Sequence, residues 1–238
     1  MSNNKIFGGV KINDIHMLND FGFALSRTDC VQPPEPKTNV IDIPGADGIL
    51  DLTESVSGRT LYNNRIIKMD FGRGLEKSAW PTMYSKIQSL FHGKQVKIIF
   101  DDDTEYYYLG RATVSDYART QMLGTLTITV SADPYKYEMY GGLDDWLWDP
   151  FNFQTGIIRS YKNIAVSGSR NVRIIGRDKV TVPIIISSAA MSVTFKGITY
   201  NIVAGNNKIY DIEIVEGENV LTFTGTGTVS IDYRGGIL

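Results

Sequence analysis

The chain has 238 residues, 42% hydrophobic, 21% charged and 11% aromatic, enough apolar material to bury a core and too much for wholesale disorder. Its 24 Lys and Arg against 26 Asp and Glu give a formal charge of -2, so no positive excess points to nucleic acid or an anionic membrane as a binding partner. The single cysteine, Cys30, excludes an intrachain disulfide and a multi-cysteine metal cluster.

In chain order, "MSNNKIFGGVKIND" lacks an apolar core of signal-peptide length, and no run approaches the ~18 apolar residues of a membrane span. Synthesis and folding in a cytoplasm are expected. Short strands are predicted at 5–12 and 21–29. "QPPEPKT" (32–38) is too rich in proline for a central strand, because proline lacks the ladder donor, and reads as an extended crossing loop. "NVIDIP" is a strand that Pro44 ends. "GADG" (45–48) reads as a turn whose glycines fill positive-φ positions. It lacks GxxxxGK[ST], and no helix pattern follows it, so it is no phosphate cradle. The charged stretch "ESVSGRTLYNNR" reads as an exposed loop. The strand after it is expected to turn Leu61, Ile66, Ile67, Met69 and Phe71 towards a half-buried face.

One helix stands out, "SAWPTMYSKIQSLFHGK". Ser78 is the expected N-cap, and Pro81 falls in the first turn, where its missing N–H costs little. Met83, Ile87, Leu90 and Phe91 form one apolar stripe. Gly93 sits where a left-handed cap belongs, and His92 would place a cation on the helix C-terminus. "QVKIIF", "EYYYLGRATVSDY" and "MLGTLTITVSAD" are strands by β-branched and aromatic content, with "FDDDTEY" as the tight connection between the first two. This first part reads as a twisted antiparallel sheet or open barrel carrying one helix, spanning residues 1–140.

Between 140 and 153 periodicity is lost in "YGGLDDWLWDPFNF", which marks a domain junction. Residues 141–238 then alternate strand and turn: Val180, Val182, Ile184 and Ile186; Tyr210, Ile212 and Ile214; Val229, Ile231 and Tyr233. With turns at "AGNNK", "VEGEN" and "GTGT", this is the pattern of a β-sandwich.

No catalytic constellation emerges. His16 and His92 are the only histidines and lie in different elements, with no nucleophile motif beside them. Cys30 is followed by rigid "VQPPEP" and has no flanking His, so it reads as structurally incidental. "DDDTE" (101–105) lacks the glycine and distal Glu of a calcium loop. "DDWLWD" (144–149) suits a covered domain joint better than a sugar site. No catalytic residue, metal ligand or cofactor is expected.

"NVIDIPGADGILDLTESVSG", "LYNNRIIKMDF", "WPTMYSKIQSLFHGKQVKIIFDDD" and "VSADPYKY", in this order, resemble the N-terminal module of the distal tail proteins of siphophages. "EGENVLTFTGTGTVSIDYRGGIL" resembles that family's C-terminal galectin-like sandwich. The resemblance implies a mainly β protein: an N-terminal β-sandwich or open barrel with one α-helix, then a galectin-like β-sandwich, in the short form without an inserted carbohydrate-binding domain. It implies a structural, non-enzymatic protein at the virion tail tip, made in the host cytoplasm. Six copies would form a ring at the distal end of the tail tube, a hub joining the tube to the baseplate or tail-tip proteins for host attachment. The implied partners are further copies of the chain, the tail tube protein, a tail-associated hub or lysin protein, and receptor-binding proteins on the C-terminal domain. DNA would only pass through the channel, and no membrane is involved.

A ring needs a heterologous contact that closes. In the loop "ESVSGRTLYNNR", Arg59, Asn63, Asn64 and Arg65 offer donors to a neighbour, although Arg65 reads equally well as paired within its own chain. Two other classes remain. A lectin-like tail module contacting the host surface would need a sheet face of exposed aromatics. Phe195, Tyr200, Tyr210, Phe223 and Tyr233 mostly occupy core-phase positions, which argues against it. A tail hydrolase would need paired carboxylates or a metal in a cleft.

Overall fold

Alternating apolar residues build two separate cores in this mainly β protein, one in each of two compact units, Met1–Lys136 and Tyr137–Leu238. The division falls after Lys136, where the loss of periodicity suggests Tyr140. The computed structural model describes residues 8–26, 30–74, 78–119, 123–144 and 160–238.

The first unit contains β1 (Val10–Ile12), β2 (Ile15–His16), α1 (Met17–Phe21), β3 (Ala24–Leu25), β4 (Val40–Asp42), β5 (Ile49–Asp51), β6 (Arg65–Gly74), α2 (Trp80–Phe91), β7 (Gln95–Phe100), β8 (Tyr106–Arg119) and β9 (Leu123–Ala132). Seven of its strands form an antiparallel sheet in the order β2-β1-β7-β8-β9-β6-β3. Its inner face follows from the period of two along each strand. Ile67, Met69 and Phe71 on β6, Leu126, Ile128 and Val130 on β9, and Val96 and Ile98 on β7 are all buried. Helix α2 covers that face with the expected stripe. Ile87 and Phe91 are buried, and Met83 and Leu90 pack half-buried against the same core.

Trp80, the first residue of α2, is fully buried and lies against Gly124 of β9. A Cβ at 124 would stand 1.8 Å from Trp80 Cζ2. Phe23 meets the indole edge-on, with ring centroids 5.6 Å apart.

The helix ends differ from expectation. The N-cap is Ala79, not Ser78, and it makes no side-chain hydrogen bond; the fixed φ of Pro81 and the burial of Trp80 start the helix instead. Gly93 is left-handed (φ 74), but its N–H donates to the Ala112 carbonyl of β8 and not back to the helix. At the helix end, His92 Nδ1 accepts the Val114 N–H at 3.1 Å, tying the helix to the sheet.

Two further expectations need correction. A second, five-residue helix, α1, stands between the first strands, burying Met17 and Phe21; one i, i+4 pair is too short a pattern to read from sequence. Residues 32–38 do not form a crossing loop. They belong to a stretch running antiparallel beside the start of β6, with bridges Val31↔Ile67 and Pro36↔Tyr62 and N–H bonds from Gln32 to Ile66 O and from Lys37 to Leu61 O. Pro33, Pro34 and Pro36 sit in an edge pairing that does not need their missing donors.

Strand β10 (Lys136–Glu138) spans the division. The second unit continues with β11 (Ile164–Gly176), β12 (Ile184–Ser187), β13 (Met191–Phe195), β14 (Ile198–Ile202), β15 (Gly205–Lys208), β16 (Gly217–Asp232) and β17 (Gly236–Ile237). Sixteen-residue β16 organises it: β11 pairs along it from Ile164↔Val229 to Gly176↔Gly217, and β13 and β12 pair with its two halves. The sheet path is β14-β13-β16-β12-β15, and only Val203 and Ala204 separate its two end strands. The sheet is therefore rolled upon itself. Val172, Ile174, Leu221, Phe223, Val229, Ile231 and Tyr233 fill the interior. Around β12 the phase is opposite to the expected one. Ile185 is buried, while Val182, Ile184 and Ile186 are half-buried, because an unbroken apolar run leaves strand parity undetermined.

Two turns of this unit are built alike. In "VAGNN" (203–207), Asn207 Oδ1 accepts the Val203 N–H at 2.9 Å, and its Nδ2 donates to the carbonyls of Val203, Gly205 and Ile185. In "VEGEN" (215–219), Asn219 accepts from Val215 and donates to the carbonyls of Val215, Gly217 and Ile174. Gly205 and Gly217 take positive φ at matching positions. The motif V-x-G-x-N is thus a side-chain latch that closes a turn and ties it to the neighbouring strand.

Two outcomes follow for denaturant unfolding. Gly124→Ala should destabilise the first unit by about 1–3 kcal/mol or more, because the buried indole cannot swing aside. Asn219→Ala should cost roughly 1–3 kcal/mol by leaving buried backbone groups unpaired, and the half-buried Asn207→Ala less; equal, negligible losses would mean that the latches are not structural.

Candidate functional site

No residue from 37 to 64 is buried, although the stretch is ordered by its own hydrogen bonds. β4 and β5 form a two-stranded hairpin with Val40↔Asp51, Ile41↔Leu50 and Asp42↔Ile49 opposed. Its turn is the one expected at "GADG", with Ala46 N–H donating to Ile43 O and positive φ at Gly45 and Gly48. β5 follows this turn and precedes the charged stretch that begins at Glu54. Leu52 N–H donates to Asn39 O and closes the base of the hairpin, and the Thr53 N–H and hydroxyl hold the Asp51 carboxyl below its ordinary range.

The hairpin is apolar where solvent would favour polar side chains. Ile41, Ile43 and Leu50 lie on one face, and Val40 and Ile49 lie with Asp42 and Asp51 on the other; Ile49 is 65% exposed. A second tight turn follows, held by Gly58 N–H to Glu54 O and Thr60 hydroxyl to Glu54 carboxylate, with Val56 at its tip 93% exposed. Residues 39–58 contain Asp42, Asp47, Asp51 and Glu54 and no Lys or Arg. The arm is therefore acidic and apolar together.

The four donors singled out in the sequence do not form one surface. Arg59 is half-exposed beside the second turn, and its carbonyl accepts the Ser57 hydroxyl. Asn63 and Asn64 are exposed, with Asn63 N–H donating to Glu35 O and Asn64 Nδ2 donating to Ser131 Oγ at 3.4 Å. Arg65 is buried at 5% exposure, so the intrachain alternative is the one realised. It has the same parity as Ile67, Met69 and Phe71, hence the core phase of β6. Its Nη2 donates to the Pro134 carbonyl, and its guanidinium lies 5.4 Å from the Tyr108 ring centroid, while its Nε is buried without a partner. Burial pushes the guanidinium down and the Tyr108 hydroxyl up from their ordinary ranges, each offset in part by the other. Leu61 and Ile66, expected to be half-buried, are 41% and 40% exposed.

The outer face of the large sheet is exposed over part of its area, although Thr127 on it is buried. By register, Arg111, Ser131 and Ile66 lie side by side across β8, β9 and β6, with Thr113, Thr129 and Lys68 in the next row and Lys97 opposite Leu109 in the row before. Arg111, Ile66 and Lys68 are exposed, and Lys97 and Leu109 are half-exposed.

Elsewhere, His16 Nε2 lies 3.1 Å from Asp101 Oδ2, and its Nδ1 accepts the Asn19 N–H, so the ring bridges α1 to the turn after β7. Among the described residues no group of three His, Cys, Asp or Glu is placed to hold a metal ion. In the second unit Phe195, Phe223 and Tyr233 are buried, but Tyr210, expected in core phase, is 71% exposed, and Lys208 Nζ stands 5.2 Å from its ring centroid. Trp146 and Trp148 of "DDWLWD" lie outside the described residues.

No family model matches the chain, and no curated protein matches it. Among solved structures, the chain is similar to the crystal structure of the SPP1 Dit protein, described as a paradigm of the hub adsorption apparatus in phages infecting Gram-positive bacteria. The match has a TM-score of 0.60 at 14% identity and covers 95% of this chain and 98% of that one. The two proteins share a fold from end to end.

If the arm packs on nothing in its own chain, Ile41→Ser and Leu50→Ser should each change the stability of the isolated subunit by no more than about 0.5 kcal/mol. Losses above about 1.5 kcal/mol in denaturant titration would place these side chains in an intrachain core.

Proposed function

We propose that this chain is a structural subunit of a phage tail, a non-enzymatic hub protein whose six copies close into a ring at the distal end of the tail tube. The observation that carries this reading is the shared fold. It spans both units and nearly the whole of a hub protein of like length, so it does not rest on one common β module.

The geometry of the first unit supports the same reading. A ring satisfies two different surfaces of every subunit at once. This unit offers an apolar arm that leaves its own core and an outer sheet face that is exposed around Ile66, Lys68 and Arg111. Both suit assembly better than turnover. In this role the first unit builds the ring and its channel. The second presents its rolled sheet to receptor-binding or other tip proteins, and the tube and a tail-associated hub or lysin protein occupy the ring's two sides.

A reconstruction of the tail tip of the virion that encodes this chain tests the reading. Six copies in one closed ring at the distal end of the tube are expected; absence from the tip, or one or three copies there, would overturn it.

A further inference from the structure

We propose that the hairpin arm of residues 39–58 docks on the open sheet face of a second copy of this chain, placing Val40, Asp42, Ile49 and Asp51 against Ile66, Lys68, Lys97, Leu109 and Arg111. This rests on the ring reading and names the contact that would close it.

Three observations select the occupant. An isolated two-stranded hairpin is at best marginally stable in water, and this one exposes apolar side chains on both faces. It is therefore built to be covered.

The charges also match within one chain. Residues 39–58 carry four carboxylates and no cation, whereas the rest of residues 1–136 carries fifteen Lys and Arg against twelve Asp and Glu. A second copy thus brings the charge that the arm lacks, which favours correct encounter and register.

The receiving face, finally, mirrors the arm in composition. The register puts the apolar Ile66 and Leu109 among the cations Lys68, Lys97 and Arg111. The acidic face of the hairpin presents two apolar and two carboxylate side chains. The Asp51 carboxylate accepts the Thr53 N–H at 2.9 Å. Asp70, the carboxylate beside Lys68 on the same strand, accepts the Thr127 hydroxyl at 2.6 Å; Lys97 Nζ stands 4.3 Å from the Tyr107 ring centroid, and Arg111 Nη1 donates to the Gly93 carbonyl. Asp133 stands at the rim beside Leu109, where its N–H donates to the Leu109 carbonyl. From Asn39 to Gly45 the arm reaches about 20 Å at ~3.3 Å per residue, enough to cross onto a neighbour.

Charge exchange in the full-length chain tests the proposal. Asp42→Lys with Asp51→Lys, and separately Lys68→Glu with Arg111→Glu, should each raise the concentration at which the oligomer half-dissociates by at least about tenfold, read by native mass spectrometry and light scattering. Circular dichroism should show the fold unchanged. The four changes combined restore complementarity and should return assembly to near the wild-type value. A disulfide ladder extending to the full ring should form between Ile49→Cys and Ile66→Cys in one chain, and in neither single variant. Oligomers that survive both charge reversals, or that form without the ladder, overturn the proposal and leave the ring reading standing. A wild-type chain that stays monomeric at the highest attainable concentration overturns it as well, leaving the arm to a different protein; a tail-tip reconstruction then decides the ring reading by itself.

Discussion

The first unit is organised by the contact between an indole and a bare backbone. Trp80 can be fully buried at the start of α2 only because residue 124 has no side chain. That contact sets the distance between helix and sheet and selects the face of β9 that is inner. The inner face of β6 then follows through unbroken register, and that of β8 through a ladder that shifts once, between Ser115 and Ala118. Once one face is packed, the other is left to solvent, and the period of two puts Ile66, Lys68 and Arg111 there. The open face is a consequence of the helix docking and not an independent feature.

Much of this was legible in the sequence. The stripe Ile87, Leu90, Phe91, the position of Pro81 and the three long strands after α2 are periodic enough to place. The failures have physical causes. Ser78 is a good capping residue, but Trp80 burial and Pro81 rigidity decide where the helix begins. Ile184 and Ile186 sit in an unbroken apolar run, where alternation carries no information about parity. The proline-rich 32–38 segment looks unpaired because prolines lack donors, although an edge pairing can be arranged around them.

The candidate site was legible only in part. "GADG" was correctly a turn, yet the pairing of "ILD" with "VID" across it needs a tertiary fact: these apolar residues join neither buried cluster among the described residues. Apolar alternation normally signals burial within the molecule, and here it marks an exposed hairpin. Arg65 shows the converse. Its type suggests surface, but its parity with Ile67 and Met69 puts it inside, where Pro134 and Tyr108 receive it.

The long strand of the second unit has a consequence for how the protein is made. Sixty-five residues separate Ile164 from its partner Val229, and forty-one separate Gly176 from Gly217. Because β11, β12 and β13 all pair with residues 217–232, none can complete its ladder until that stretch has left the ribosome. The seven-strand path of the first unit's sheet is complete in sequence by Ala132. Synthesis therefore delivers the units in sequence: the arm-bearing one can fold while the chain is still growing, and the rolled one only afterwards, with its loop closures still to be made. During that interval its unpaired strands are open to misassociation, so the demand on chaperones falls mainly on the second unit.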